Sequence, residues 1–146
     1  MVNDFRVLTG CCLAIIAALL VVGAVSHGVI RHIVQTSPLW IAIVLSIRRS
    51  GSSKWAALPC FVFWLLLMMA IWLFLLGWAR IVSGAFSPIE IAMTMIVGLA
   101  SLLGIVRALG MRSGVRAWPA VAAVFLVTAL QLIALRLSIL PAIAHR

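Results

Sequence analysis

Residues 58–77, LPCFVFWLLLMMAIWLFLLG, leave this chain little choice of fold. The run has no charge, no amide and no hydroxyl. As a helix rising about 1.5 Å per residue it is roughly 30 Å long, the thickness of a bilayer's hydrocarbon core. Lys54 and Trp55 precede it, and Trp78 and Arg80 follow it. Indole rings and basic side chains at both ends of an apolar helix mark the two membrane–water interfaces. The segment reads as transmembrane.

The rest of the chain is nearly as apolar. Of 146 residues, 66% are hydrophobic, and the mean hydropathy is +1.34. A water-soluble domain of this size needs far more polar surface. There is room for four or five spans with short connectors and no separate soluble domain. The expected fold is all-α and integral to the membrane. It is a single helical bundle over 1–146 of five, alternatively four, transmembrane helices, near 7–25, 28–47, 55–79, 88–107 and 118–140.

Eleven basic residues face only Asp4 and Glu90, a net charge of +9. The basic residues stand singly or in small groups between apolar runs. That pattern orients membrane segments and touches anionic headgroups, so the expected partner is the lipid bilayer and not nucleic acid. Cys11, Cys12 and Cys60 are odd in number, and all sit in apolar stretches. They offer no disulfide framework and no zinc spacing, and they read as small buried hydrophobes.

Near the N-terminus, Leu8-Thr9-Gly10-Cys11 looks like a lipoprotein box, but its hydrophobic segment follows the cysteine instead of preceding it. Residues 24–26 look like a cleavage site, yet the residues before them are a poor leader start. An uncleaved first helix over 7–25 is expected. Gly10, Ala14 and Ala18 recur every fourth residue and form a candidate packing face. Residues 28–47 are harder to place, because Arg31, His32, Gln35 and Pro38 interrupt them. Either they cross as one helix bent at Pro38, with Arg31 and His32 reaching outward, or only 39–47 forms a half-helix. Five spans is the preferred reading, since the stretch is long enough and proline is tolerated in membrane helices.

Ser87-Pro88-Ile89-Glu90 is a capping box with proline at the first helical position. It explains Glu90 without a proton-relay role. A faint internal echo pairs 31–55 with 80–118: Arg-led runs lead to Ser37-Pro38 and Ser87-Pro88, then to Arg49-Ser50-Gly51 and Arg112-Ser113-Gly114. Such matches arise easily in apolar sequence.

With five spans and the N-terminus inside, Arg6, Arg48, Arg49, Lys54, Arg107, Arg112 and Arg116 are cytoplasmic. Arg31, Arg80, Arg136 and Arg146 are outside. With four spans, Arg31 and Arg6 change places and the balance is the same. Either way, loops 48–54 and 107–116 are expected in the cytoplasm and the C-terminus outside, in a bacterial inner membrane.

No paired carboxylates, metal-binding spacing or nucleophile motif is present, so an enzyme is not expected, nor is any cofactor or metal. Two groups of residues are candidate binding sites. Thr128 and Gln131 fall near the middle of the last segment, with Thr94 and Ser101 as expected partners on the fourth and Arg136 beyond. His27, Arg31 and His32 cluster before the second segment. Trp64, Met68 and Trp72, four apart, make a stripe on the third that reads first as helix packing. Three functions follow. The first is a non-enzymatic accessory or assembly subunit, expected to associate with itself or a larger membrane complex. The second is a small transporter or channel along Thr128, Gln131 and Arg136. The third is a quinone- or haem-binding subunit around the histidines and the stripe.

Overall fold

The computed structural model describes residues 2–80, 84–112, 114–140 and 143. It contains five long helices: α1 (Val2–Val25), α2 (Val29–Ile47), α3 (Ser53–Leu75), α4 (Pro88–Gly110) and α5 (Ala117–Ser138). Each is long and apolar enough to cross a membrane. The chain is an all-α multi-pass membrane bundle. Pro141, His145 and Arg146 of the C-terminal tail, and Ile81, Val82 and Ser113 of the internal echo, lie outside the described residues.

The second segment is one continuous helix of 19 residues, not a half-helix. Its length follows from how the chain treats Pro38. Proline has no amide hydrogen, so it leaves the carbonyl four residues back without its usual partner. That carbonyl belongs to Val34, and the Ser37 hydroxyl donates to it at 2.8 Å. A bare carbonyl in hydrocarbon would cost several kcal/mol, and a neighbouring hydroxyl removes that cost.

Residues 76–79 end α3 in a Schellman turn. Gly77 has φ +75°, its amide donates to Phe74 and the Trp78 amide donates to Leu73. Glycine suits this left-handed position because it has no Cβ to clash. At the other end of the α3–α4 connection, the capping box forms in full. Glu90 Oε2 accepts from the Ser87 amide at 2.7 Å, and Ser87 Oγ accepts from the Glu90 amide at 3.3 Å.

Helices α1 to α4 close a ring in chain order, with α4 packed back on α1. Helix α5 lies outside the ring, in the groove between α2 and α3, and does not pack on α4. The internal echo would pair α2–α3 with α4–α5. The first pair packs together and the second does not, so the echo has no counterpart in the packing.

The half of the ring near the start of α1 is filled. Leu8, Cys12 and Ile15 of α1 meet Leu39 and Ala42 of α2 and Ala57 and Cys60 of α3, all fully or almost fully buried. The three cysteines are free and buried, as small apolar fillers. Membrane helices associate through close contact, because lipid tails are as apolar as the side chains they would release. Among the glycines, the tightest approach is at Gly104 of α4. A Cβ there would lie 2.5 Å from the ring of Phe61, which is fully buried.

The expected small-residue face of α1 is only partly used. Ala18 is buried, but Gly10 is exposed and no atom comes within 4 Å of its Cβ position. The buried stripe of α1 runs instead through larger residues such as Leu8, Ile15 and Leu19. Gly104→Ala is therefore expected to cost about 1–3 kcal/mol, as overpacking against an immobile ring does. Gly10→Ala should cost nothing measurable. Unfolding of both variants in mixed micelles checks the contrast, and equal effects would refute the packing assignment.

Candidate functional site

Short links make successive helices run in opposite directions. The start of α3 meets the end of α4, where Lys54 Nζ donates to the Met111 carbonyl at 2.7 Å. A cation on that carbonyl is favourable, because the last carbonyls of a helix are its negative end. This end of the bundle carries Arg6, Arg48, Arg49, Lys54, Arg107, Arg112 and Arg116. The opposite end carries Arg31, Arg80, Glu90 and Arg136.

The filled half of the ring gives way toward the opposite end to a cavity of about 280 Å³. All four ring helices and residues 84–86 line it. Arg31, His32 and Gln35 come from α2, Trp64 and Met68 from α3, and Glu90 from α4. From Trp64 to the end of α3 is roughly 16 Å at the helical rise, so the cavity reaches about half-way through the bundle.

The polar groups of the cavity have defined roles. Nδ1 of His32 donates to the Gly28 carbonyl at 2.9 Å, since a carbonyl can only accept. This contact fixes the ring and the tautomer. It leaves Nε2 as an acceptor when the ring is neutral. The tight α1–α2 turn seats the ring. A Cβ on Gly23 would lie 3.0 Å from the Val29 Cα and 3.1 Å from His32 Nδ1. Glu90 is already engaged by its cap. Arg31 is exposed at the mouth.

Deeper in, Trp64 is 1% exposed, and its indole N–H has no hydrogen-bond partner. A buried donor left unmade costs about 1–3 kcal/mol, so most are satisfied. Trp72 differs. Its Nε1 donates to Thr94 Oγ1 at 3.1 Å, and the Thr94 hydroxyl donates on to Ile91 at 2.7 Å. The Trp/Met stripe is thus divided: Trp72 packs on α4, and Trp64 and Met68 form a cavity wall. Met68 and Thr94 are shared with an apolar groove of about 290 Å³ on the outer α3–α4 seam.

The sequence candidates are divided by this arrangement. Arg31 and His32 stand at the cavity together with Trp64 and Met68 of the stripe. His27 does not line it. His27 is exposed in the α1–α2 turn with φ +57°. Gln131 is 1% exposed, but its partner is on α2, not on α4 as expected: Nε2 donates to the Gln35 carbonyl at 3.3 Å. Thr128 and Arg136 are exposed, so they share no lining with Gln131. Thr94 bonds Trp72 and Ile91, and the Ser101 hydroxyl is buried without a partner. The expected α4–α5 polar contact fails because α5 lies against α2 and α3.

In the sequence Gln35 stands out only as an interruption of the second segment, not as a partner for the last one. Its Nε2 donates to Ser138 Oγ at 2.9 Å, and Ser138 in turn donates to Leu135 at 2.7 Å. The available signal was its register, four residues after Arg31 and so on the same helix face. Among the described residues, no group of three or more His, Cys, Asp or Glu residues could hold a metal. Comparison with protein-family models, with curated proteins and with solved structures finds no match.

The bonds joining α5 to α2 differ in quality. Gln131 has a long contact and a buried, unpartnered Oε1, whereas the Gln35–Ser138 bond is short. Gln131→Leu should therefore leave stability within about 0.5 kcal/mol of wild type, since it removes an orphan acceptor with the weak bond. Ser138→Ala should cost about 1 kcal/mol. Denaturation in mixed micelles orders the two, and the reverse order would refute the assignment.

Proposed function

We propose that this protein is a non-enzymatic membrane subunit that holds a single-ring, lipid-phase molecule of the quinone-headgroup class in the ring cavity. The carrying observation is a cavity lined by Arg31, His32 and Trp64, the last with a buried indole N–H that has no protein partner. A ring with carbonyl oxygens on opposite edges matches these groups. One oxygen accepts from the Trp64 N–H and the other from the Arg31 guanidinium. The hydroxyl of the reduced ring can donate to His32 Nε2. Ligand sites commonly span about 300–1,000 Å³. A cavity of about 280 Å³ therefore suits one ring and not a haem, and among the described residues one histidine, His32, lines it. The apolar α3–α4 groove, which shares Met68 and Thr94 with the cavity lining, suits the ligand's hydrocarbon tail.

The test is titration of the full-length protein in detergent with decylubiquinone, read by tryptophan fluorescence. Wild type should show saturable quenching. Trp64→Phe should lose its saturable component. Arg31→Gln should weaken binding about tenfold, as loss of a hydrogen bond to a charged group does. Thr128→Val should bind like wild type. Absence of saturable binding, or equal binding in Trp64→Phe and Arg31→Gln, overturns the reading.

The orientation goes with it. The end bearing Arg6, Arg48, Arg49, Lys54, Arg107, Arg112 and Arg116 faces the cytoplasm of a bacterial inner membrane, and the cavity opens outward. A cysteine placed at Asn3 should resist a membrane-impermeant thiol reagent in intact cells, and one at Gly84 should react. The opposite pattern reverses the topology.

A further inference from the structure

We infer that the cytoplasmic end of the α1–α2 seam is a binding site for an anionic phospholipid headgroup. A groove of about 370 Å³ lies there, lined by Arg6, Thr9, Gly10 and Leu13 of α1 and by Ser46 and Arg49 at the end of α2. It lies at the other end of the bundle from the cavity and shares no lining residue with it.

Three independent features point to a ligand. The first is charge. Two guanidiniums, Arg6 and Arg49, line one small groove, and a guanidinium offers paired donors matched to phosphate oxygens. The second is backbone conformation. Helix α2 ends in a Schellman turn, with the Arg49 amide on Ser46 and the Ser50 amide on Leu45, each at 3.0 Å. The left-handed residue of that turn is Arg49, φ +52°, although the equivalent residue of α3 is Gly77. A side chain with a Cβ is unfavourable there, and Gly51 stands only two positions away. The sequence thus tolerates strain to hold a guanidinium where the groove opens. The third is Ser46. It is 2% exposed, lines the groove, and its hydroxyl has no partner.

The apolar continuation selects a lipid over free phosphate. Gly10 leaves the wall open, with no atom within 4 Å of its Cβ position, and Leu13 lies a further turn toward the membrane centre. A phosphate seated on the arginines would set its acyl chains along this wall. The loss of Gly10 as a helix contact, noted in the fold, is accounted for on the same basis.

The test uses full-length protein in a neutral detergent, titrated with phosphatidylglycerol, with phosphatidylcholine of the same chains, and with inorganic phosphate. Binding is followed by native mass spectrometry and thermal midpoint. Wild type should retain phosphatidylglycerol at least fivefold more tightly than phosphatidylcholine, with no midpoint shift in millimolar phosphate. Arg6→Gln and Arg49→Gly should each abolish that preference. Arg49→Gly should keep or raise the lipid-free midpoint, because glycine relieves the turn, so lost binding there is not lost folding. The double variant Arg112→Gln with Arg116→Gln removes twice the charge of either single variant from the same end and should retain the preference. Equal loss in that double variant shows diffuse attraction and overturns the site. An equal response to inorganic phosphate overturns the lipid. Decylubiquinone binding should be unchanged in Arg49→Gly, so either site can fail without the other.

Discussion

The ring of Phe61 seated against Gly104 sets how closely α3 approaches α4, and much else depends on that distance. In hydrocarbon there is no water to expel, so helices hold together by fit and by a few polar bonds. With α3 locked on α4 at this level, the stripe above it follows the same seam. Trp72 reaches Thr94, and Trp64 and Met68 turn into the ring interior. Below the notch the interior is filled by small and branched residues. Above it, α2 contributes the polar residues Arg31, His32 and Gln35 to the lining. The cavity is therefore the place where polar residues of α2 enter an otherwise apolar ring interior.

Much of this was legible where physics acts locally. The uncharged run of 58–77 needs only length and hydropathy to be read as a spanning helix. The Ser87–Glu90 cap needs only four consecutive residues, and it forms as written. Arg31 and His32 were noticed because charge in an apolar stretch is conspicuous. What failed was the choice of neighbours. Nothing in the sequence says that α5 leaves α4 and lies on α2, so Gln131 was given partners on the wrong helix. Its true partner, Gln35, is 96 residues away. Small residues misled for a related reason. Gly10 and Gly104 look alike in sequence, but one meets open space and the other an aromatic ring. The missing hydrogen bond of Trp64 is a property of its surroundings and could not be read from any spacing.

The same left-handed conformation serves different purposes at three helix ends. At Gly77 the left-handed residue is glycine, and the turn simply reverses the chain. At His27 and Arg49 the same conformation carries a ring and a guanidinium. Both exceptions border α2, the helix that also bears Pro38 and the cavity's polar residues. Local departures from the most comfortable sequence thus gather on one helix, and α2 is the least uniformly apolar of the five. The Ser37 hydroxyl on Val34 shows how such a helix stays viable in a membrane, by satisfying locally what the proline leaves open.

The separation of α5 from α4 has a consequence for how the protein is made. Every helix pair that closes the ring lies between Val2 and Gly110. The four-helix unit is complete in sequence before α5 is synthesised. Each of the first four helices can find its final neighbours in order of emergence, by the shortest connections. The last helix then arrives at a finished surface, and Gln35 presents the hydrogen-bonding groups that Gln131 and Ser138 meet.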